Sequence, residues 1–589
     1  MTFFRELKQR NVVKVGAIYA VTAWLLIQVA SIGFPEFGAP PWALRIFIFV
    51  VLLGFPLALI LAWALELTPE GIKRAQGSVG EKRMWAITIG LGALAIAWFQ
   101  FGQPAWRNAN DVVDPSIAVL PFSDLSPQGD QQYFGDGIAE EILNLLAQNP
   151  ELRVAGRTSS FKFRGEETDL REVGRQLSVA HVLEGSVRKA GQQLRITAQL
   201  IDTETGYHLW SETYDRELTD VFAVQDQISA AIVDALNARI ASNPGVRGKR
   251  PTSSEAAYEL YLRARSMGST REIAQVEDAI RLLEAALVLD DSYADAWGQL
   301  SYLYVIGEFW GSSLPTDVAL ERGIEAANRS LALDPDNVDG LLGLGVTKMV
   351  RTYEMDEARE LLHRAYELAP SNPDVVNFIG DYYGRIIDRD RHLELEHLAA
   401  ELDPLVPIHR LDLAWSYALY GEPEKALYWL EQAAALNDSL DIIAEPSIDV
   451  LVSVGRLEEA RQMAARVREA YGEQSRQYFH ARASLLGATG RHAELRMYLD
   501  QVENSPLVDD IVETYLAAHH MAAGDCDGAA YWMERARDAH DPFLTYPHFL
   551  TGSAQCPDSE AWQAFWNDPR FKWLSDERLS RGYEAISFY

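Results

Sequence analysis

Pro407 to Asp438 reads PIHRLDLAWSYALYGEPEKALYWLEQAAALND, and its pattern decides the fold of the second half of the chain. Leu413, Ala414 and Tyr417 share one face of a first helix, and Ala426, Leu430 and Ala433 share one face of a second. A small residue stands wherever two helices must approach closely, and a large apolar one wherever a gap must be filled. The motif returns at intervals of about 34 residues, a period that implies helix pairs stacked into a curved solenoid. A solenoid of this kind offers a binding surface rather than a reaction centre.

The repeat can be followed through its endings. Leu-Asp-Pro at Leu333 to Pro335, Ala-Pro at Ala369-Pro370 and Leu-Asp-Pro at Leu402 to Pro404 each close a second helix, because proline cannot continue one. The small-large-small triplet recurs as Ala279, Leu283, Ala286; Ala358, Leu362, Ala365; Ala460, Ala464, Val467; and Ala529, Met533, Ala536. Phase and endings agree over about eight copies, which sets the pattern apart from unrelated amphipathic helices. It is the tetratricopeptide pattern, and it predicts an all-α solenoid over residues 256–541. Glu308 to Asp317 is extra to its copy and is expected to protrude as a loop. Residues 542–589, with Trp562, Phe565, Trp566, Phe571 and Trp573, fit no repeat and are expected to cap the last apolar face.

Three apolar runs open the chain, at about 15–34, 44–65 and 84–101, each near the ~20 residues a helix needs to cross a bilayer. They predict a membrane unit over residues 15–102 behind a short cytoplasmic segment, 1–14. A cleaved signal peptide is the alternative for the first run, but no small-x-small cleavage site follows it. Arg5, Lys8, Arg10 and Lys14 precede the first run, and Lys73, Arg74, Lys82 and Arg83 separate the second from the third. Positive loops stay in the cytoplasm, so the N-terminus is expected inside and everything after about Gly102 outside; in a Gram-negative cell that means an inner-membrane protein with its bulk in the periplasm.

Charge divides the chain in the same place. Nine Lys or Arg and five Asp or Glu lie before Gly102, so of the chain's 53 and 84, 44 basic and 79 acidic residues follow it. A body so acidic cannot bind nucleic acid by neutralising phosphates. It favours a basic or neutral partner, although an acidic surface is also simply soluble. The two cysteines, Cys526 and Cys556, fall in the part expected to meet an oxidising compartment. They are a disulfide candidate; two unpaired thiols are the alternative, since distance and direction decide.

Residues 116–241 read as a mixed α/β domain. Ile117 to Phe122 is a buried strand, Gly135-Asp136-Gly137 opens a helix that runs from Ile138 to Ala147, and Val179 to Arg188 and Leu194 to Ile201 alternate as paired strands about Gly191. The stretches SIAVLPF (Ser116 to Phe122), YFGDGIAEEIL (Tyr133 to Leu143), VLEGSVR (Val182 to Arg188), LRITAQLIDT (Leu194 to Thr203) and HLWSETY (His208 to Tyr214) carry a resemblance. Together they resemble the TolB-like amino-terminal domain of bacterial membrane proteins that also bear tetratricopeptide repeats. Phe34-Pro35 and ELTPEGIKR (Glu66 to Arg74) are similar to the membrane unit of that group. The group often carries a class III nucleotide cyclase or a winged-helix output domain before the membrane part, and only about 14 residues precede the first run here. The fold expectation is therefore a multi-domain chain of three transmembrane helices, a TolB-like α/β domain and a tetratricopeptide solenoid.

No constellation reads as catalytic, and none as a cofactor or metal site. Asp136, Glu140 and Glu141 near a helix start are accounted for by capping and solvation. Gly135-x-Gly137 lacks the rest of a phosphate loop. His519-His520 point in different directions, unlike the i, i+4 pair that metal sites prefer. The expected role is a non-enzymatic membrane protein that binds a protein or peptide, as envelope scaffold or sensor. The alternative is a regulatory input acting in trans on a cytoplasmic nucleotide cyclase or transcriptional regulator. Tyr383 and Tyr417 are packing positions; Asn377 and Asp381 in one repeat, and Arg410 and Asp412 in another, are the candidates for contact with a partner. As exposed positions, Asp381 and Asp412 are expected to tolerate charge reversal at under ~0.5 kcal/mol.

Overall fold

The computed structural model describes residues 65–68, 71–74, 115–164, 169–217, 221–237, 252–268, 273–309, 314–544 and 559–571, with isolated positions between 15 and 54. The chain forms two compact units, Met1–Val113 and Asp114–Tyr589.

In the first unit the membrane expectation is corrected. Among the described residues no helix is long and apolar enough to cross a membrane, and most of the three apolar runs lies outside them. Three transmembrane helices are therefore no part of the described architecture. The end of the second run is extended: β1 (Leu65–Thr68) pairs antiparallel with β2 (Gly71–Arg74), Leu65 opposite Arg74 and Thr68 opposite Gly71. Proline follows Thr68 and glycine opens β2, and both favour a turn over a continuing helix.

The second unit begins with the α/β module. Its elements are β3 (Ser116–Val119), β4 (Ser123–Asp124), α1 (Gln132–Ala147), β5 (Arg153–Val154), α2 (Arg157–Ser160), α3 (Leu170–Leu177), β6 (His181–Ala190), β7 (Gln193–Asp202), β8 (His208–Glu217) and α4 (Val221–Asn237). The strand order is β5-β3-β6-β7-β8, with β4 also on β6. β3 runs parallel to β5 and β6, whereas β6, β7 and β8 form an antiparallel meander. Gly191, at φ +62°, makes the β6–β7 turn. Ile117, Val119, Phe134, Ile138, Leu183 and Ile196 are all fully buried between sheet and helices.

Gly135-Asp136-Gly137 does not open α1 but lies within it, since the helix starts at Gln132. A Cβ at Gly135 would stand 2.6 Å from the Phe122 carbonyl oxygen, and one at Gly137 would stand 2.6 Å from Leu262. Both glycines serve close packing of α1, on its own sheet and on the solenoid.

The remainder is eight helix pairs among the described residues. They are α5 (Glu255–Gly268) with α6 (Ile273–Leu289), α7 (Ala294–Phe309) with α8 (Thr316–Leu333), α9 (Val338–Val350) with α10 (Met355–Leu368), and α11 (Pro373–Arg385) with α12 (Arg389–Leu402). Then follow α13 (Pro407–Leu419) with α14 (Pro423–Leu436), α15 (Leu440–Ser453) with α16 (Leu457–Tyr471), α17 (Arg476–Ala488) with α18 (His492–Glu503), and α19 (Glu513–Ala522) with α20 (Cys526–Asp538). The second-helix triplets are buried, as the close approach of paired helices requires. Tyr383 and Tyr417 are buried too, their hydroxyls bonded to His363 and His397. These are tetratricopeptide repeats. Of the extra stretch between α7 and α8, residues 310–313 lie outside the described residues. After the last pair, α21 (Glu560–Trp566) lays Trp562 and Phe565, with Phe571, against Ala529, Met533 and Ala536.

The turn inside each of the last four pairs contains a glycine at positive φ: Gly421, Gly455, Gly490 and Gly524. Counting back along the repeat, the same place holds Tyr353 (φ 60°) and Ile387 (φ 58°), a left-handed conformation that costs a side-chain-bearing residue free energy. What offsets it at Tyr353 is closure of the array. Its hydroxyl donates to the Asp541 carbonyl at 3.0 Å, Arg351 donates to the His540 carbonyl at 2.8 Å, and Arg385 donates to the Pro542 carbonyl at 3.2 Å. Residues 540–542, just beyond α20, are thus bonded back to the third and fourth repeats.

The α/β module closes the other side. Helix α1 packs on α5, and the N–H of Gly156 donates to the Leu402 carbonyl at 2.5 Å. Ser159 N–H donates to the Asp403 carboxylate at 2.7 Å, and Ser371 Oγ to the Leu152 carbonyl at 2.8 Å. At the centre Glu140 holds Arg157 at 2.7 Å and Arg265 at 2.8 Å, and Arg265 also reaches Asp339 at 2.8 Å. Asp136 pairs with Arg164 at 2.7 Å. Asp136 and Glu140 are neither caps nor solvated but buried: Asp136 is held within the module by Gln132 and Arg164, and Glu140 joins module to solenoid through Arg265. Their periodicity could not show this, because the partners lie up to 125 residues away.

Candidate functional site on the inner wall of the helix array

First helices from separate repeats converge on one cavity of about 420 Å³. Tyr302 and Ile306 come from α7, Asp374, Asn377, Phe378 and Asp381 from α11, and Ile408, Leu411, Asp412 and Trp415 from α13. Glu445, Pro446 and Asp449 of α15 complete the wall, with Tyr515 of α19 and Phe543 of the closing segment. Convergence of α7 and α19 on the same space follows from the curl of the array.

Two residues of a second helix reach the floor. His392 and Glu396, one turn apart on α12, lie opposite Gly384 and Gly380, one turn apart on α11. A Cβ at Gly384 would stand 2.7 Å from the His392 ring, and one at Gly380 would stand 3.2 Å from Glu396 Oε1. The glycines make the space that these two polar side chains occupy. Burial pulls the His392 imidazole down to about 4, despite Asp381 nearby, so the ring is neutral near pH 7. It bonds through Nδ1 to Tyr420 Oη at 2.9 Å and through Nε2 to Ser416 Oγ at 3.2 Å. Burial, followed by the charge of Asp381, raises Glu396 well above the usual carboxylate range.

The rim is acidic. Asp381 is ion-paired with Arg385 at 3.1 Å, Asp449 with His480 at 2.8 Å, and Glu445 with Arg476 at 3.5 Å. Burial opposes charge on the His480 ring, but Asp449 and then Glu445 outweigh it and raise the imidazole. Asn377 donates to Asp412 at 3.4 Å, linking two neighbouring repeats.

Of the four partner-contact candidates, Asn377, Asp381 and Asp412 come together on this wall. Arg410 does not line it; its guanidinium donates to the Gln432 and Pro404 carbonyls at 3.0 and 2.9 Å, holding a turn. Asp381 is not the freely exposed position the sequence implied, because Arg385 depends on it. His392 and Glu396 were missed. The signal available was the spacing of Gly380 and Gly384, which matches that of His392 and Glu396 and marks a close approach.

Elsewhere, His519 is buried against the Phe479 and His480 rings, while His520 lies between Asp525 at 2.8 Å and Glu503 at 2.7 Å. No group of three or more side chains fit to hold a metal ion occurs among the described residues. Cys526 opens α20 and is disulfide-bonded; Cys556 lies outside the described residues.

No family model matches the chain. A protein of Rhizobium meliloti (strain 1021) named "Putative adenylate cyclase 3" is 38% identical over 250 residues, which are 41% of this chain and 42% of that protein. The chain thus spans less than half the length of the curated relative it matches. Among solved structures, the chain is similar to YrrB, described as a TPR protein with an unusual peptide-binding site (21% identity, 32% of this chain and 89% of that one, TM-score 0.23). It is similar also to Pseudomonas aeruginosa pilF (17% identity, 47% and 97% covered, TM-score 0.27). The repeat assignment rests on the eight helix pairs themselves rather than on these low-scoring likenesses.

Proposed function

We propose that the chain is a non-catalytic binding protein whose inner-wall cavity receives a peptide segment of a protein partner. The observation that carries this reading is the cavity itself, walled by first helices of separate repeats and mixing aromatic with acidic side chains. A concave pocket of this size, lined by aromatic and acidic side chains, suits an extended peptide rather than a broad flat partner. The α/β module, whose sequence resembles TolB-like domains, rests on the early repeats and leaves the later first helices to the ligand. The test is selection of peptides from a displayed random library on the full chain, then anisotropy titration against Ile408→Trp. Ile408 is partly exposed on the cavity wall, so tryptophan there fills space without emptying a core. Loss of binding by that variant, with an unchanged unfolding midpoint, is the expected result; equal binding would place the ligand elsewhere.

The 38% identity to a protein named as a cyclase favours a second reading, in which the bound state regulates a separate nucleotide cyclase. Co-expression with a cyclase and measurement of cyclic nucleotide, with and without Ile408→Trp, tests it. No difference between the two would set this reading aside.

A further inference from the structure

The chemistry of the cavity points to the class of ligand it takes, an inference that rests on reading this cavity as the binding site. Six carboxyl groups line it: Asp374, Asp381, Glu396, Asp412, Glu445 and Asp449. Neither lysine nor arginine lines it among the described residues. Arg385, His480 and Arg476 pair with Asp381, Asp449 and Glu445 from behind the rim. Such a cluster could be no more than a solvated acidic face, but one member is not solvated. Glu396 is 2% exposed, and its Oε2 has no hydrogen-bond partner among the described residues. The nearest ring nitrogen, His392 Nε2, is 3.6 Å from the other oxygen and already faces Ser416. A buried carboxyl oxygen left without a partner is a rarity that marks a group awaiting one.

We propose that Glu396 anchors a single basic side chain, arginine or lysine, carried by an otherwise apolar peptide segment. A guanidinium presents paired N–H donors that match a carboxylate, and an ammonium presents three. The walls suit the rest of such a side chain. Phe378, Ile408 and Trp415 offer apolar surface for its aliphatic stem, and the Trp415 and Tyr515 rings favour a cation by their quadrupoles.

The proton balance follows. Before the cation arrives, burial, followed by the charge of Asp381, favours the protonated form of Glu396. When the cation docks, the Glu396 O–H proton leaves to solvent, and charge-assisted N–H···O bonds form to the carboxylate. No covalent bond between heavy atoms changes. The titratable carboxyl and imidazole groups that line the cavity with Glu396 are His392 on its own helix, Asp374 and Asp381 on α11, Asp412 on α13, and Glu445 and Asp449 on α15. His392 is already neutral and stays so as pH rises. His480, behind Asp449, loses its charge as pH rises, which makes the rim more acidic and acts in the same direction. Affinity for the basic peptide therefore rises with pH, and binding releases a proton.

The experiment is isothermal titration calorimetry on the full chain with three synthetic hexapeptides, Ala-Leu-Xaa-Leu-Ala-Gly, in which Xaa is arginine, glutamine or glutamate. The arginine peptide is expected to bind about tenfold tighter than its glutamine counterpart, and the glutamate peptide more weakly than either. Its affinity is expected to rise about threefold or more between about pH 6 and pH 8, with a proton released as read from buffers of different ionisation enthalpy. Glu396→Gln should abolish that release, whereas Asp412→Asn, which leaves Glu396 in place, should retain it. Equal affinity for the arginine and glutamine peptides overturns the proposal while leaving the cavity a peptide site. Arginine-selective binding with proton release unchanged in Glu396→Gln overturns the role of Glu396. Failure of all three peptides, together with failure of Ile408→Trp to weaken any library-selected peptide, brings down the underlying reading as well.

Discussion

Asp381 and Arg385, one turn apart on α11, are joined at 3.1 Å, and the same buried guanidinium donates to the Pro542 carbonyl 3.2 Å away. The cavity rim and the closure of the helix array therefore share one side chain. Removing the carboxylate leaves a buried cation without that partner, which typically costs about 3–5 kcal/mol. The small cost expected of an exposed position does not apply. Asp381→Asn should lower the denaturant midpoint clearly and Asp412→Asn only slightly; similar midpoints would show that Arg385 does not depend on Asp381.

The ion network between module and solenoid should behave alike. Arg265 sits between Glu140 and Asp339 at 2.8 Å from each, largely buried. Burial opposes the charge on Glu140, but Arg265 and then Arg157 outweigh it and hold the carboxyl low. Arg265→Ala should cost about 3–5 kcal/mol and expose residues 132–147 and 255–268 to faster hydrogen exchange. Unchanged exchange on both helices would mean that the module is held by its other contacts alone.

A pH dependence follows from Asp541. It accepts from Thr514 N–H at 3.1 Å, Thr514 Oγ1 at 2.9 Å and Phe543 N–H at 2.8 Å, yet burial pushes its carboxyl up to about 6 from 3.8. Between those values the folded chain keeps a proton that the unfolded chain has released, so stability falls as pH rises through the window. The contribution is on the order of 3 kcal/mol below the lower value and is gone above the upper one. Asp295, raised to about 6 chiefly by burial, acts with the same sign. Unfolding midpoints of wild type and Asp541→Asn, measured from pH 4 to pH 7, check this. The variant should show the shallower decline, and parallel profiles would remove Asp541 from the account.

The cysteines make a separate prediction. With Cys526 bridged and Cys556 the chain's other cysteine, maleimide should label the denatured protein only after reduction. Reduction should lower stability by roughly 3–4 kcal/mol for a loop of about 30 residues, less any strain. Labelling of both thiols without reductant would exclude the bridge.

The repeats were legible because their determinants are local. Small residues at Ala426 and Ala433, and prolines after Leu333 and Leu402, act within one helix pair and repeat in phase. The sheet order was less accessible, since β3, β5 and β6 are joined in parallel through intervening helices. The apolar runs at the start of the chain matched the length of a bilayer span, but Leu65, at the end of one, lies in a strand. Closure of the array was illegible: Tyr353 reads as one more aromatic until its positive φ and its bond to Asp541 are seen. The cavity floor failed for a related reason. Glu396 lies on a second helix, a helix class read for packing alone, and only its placement against Gly380 brings it to the inner wall.

The central claim is that a peptide ligand occupies the inner-wall cavity. Hydrogen–deuterium exchange of the full chain, with and without a library-selected peptide, tests it most directly. The account predicts added protection at residues 374–384, 408–416 and 445–449, with none on the second helices at 423–436 and 457–471. Protection confined to those second helices, or to the α/β module, would contradict it.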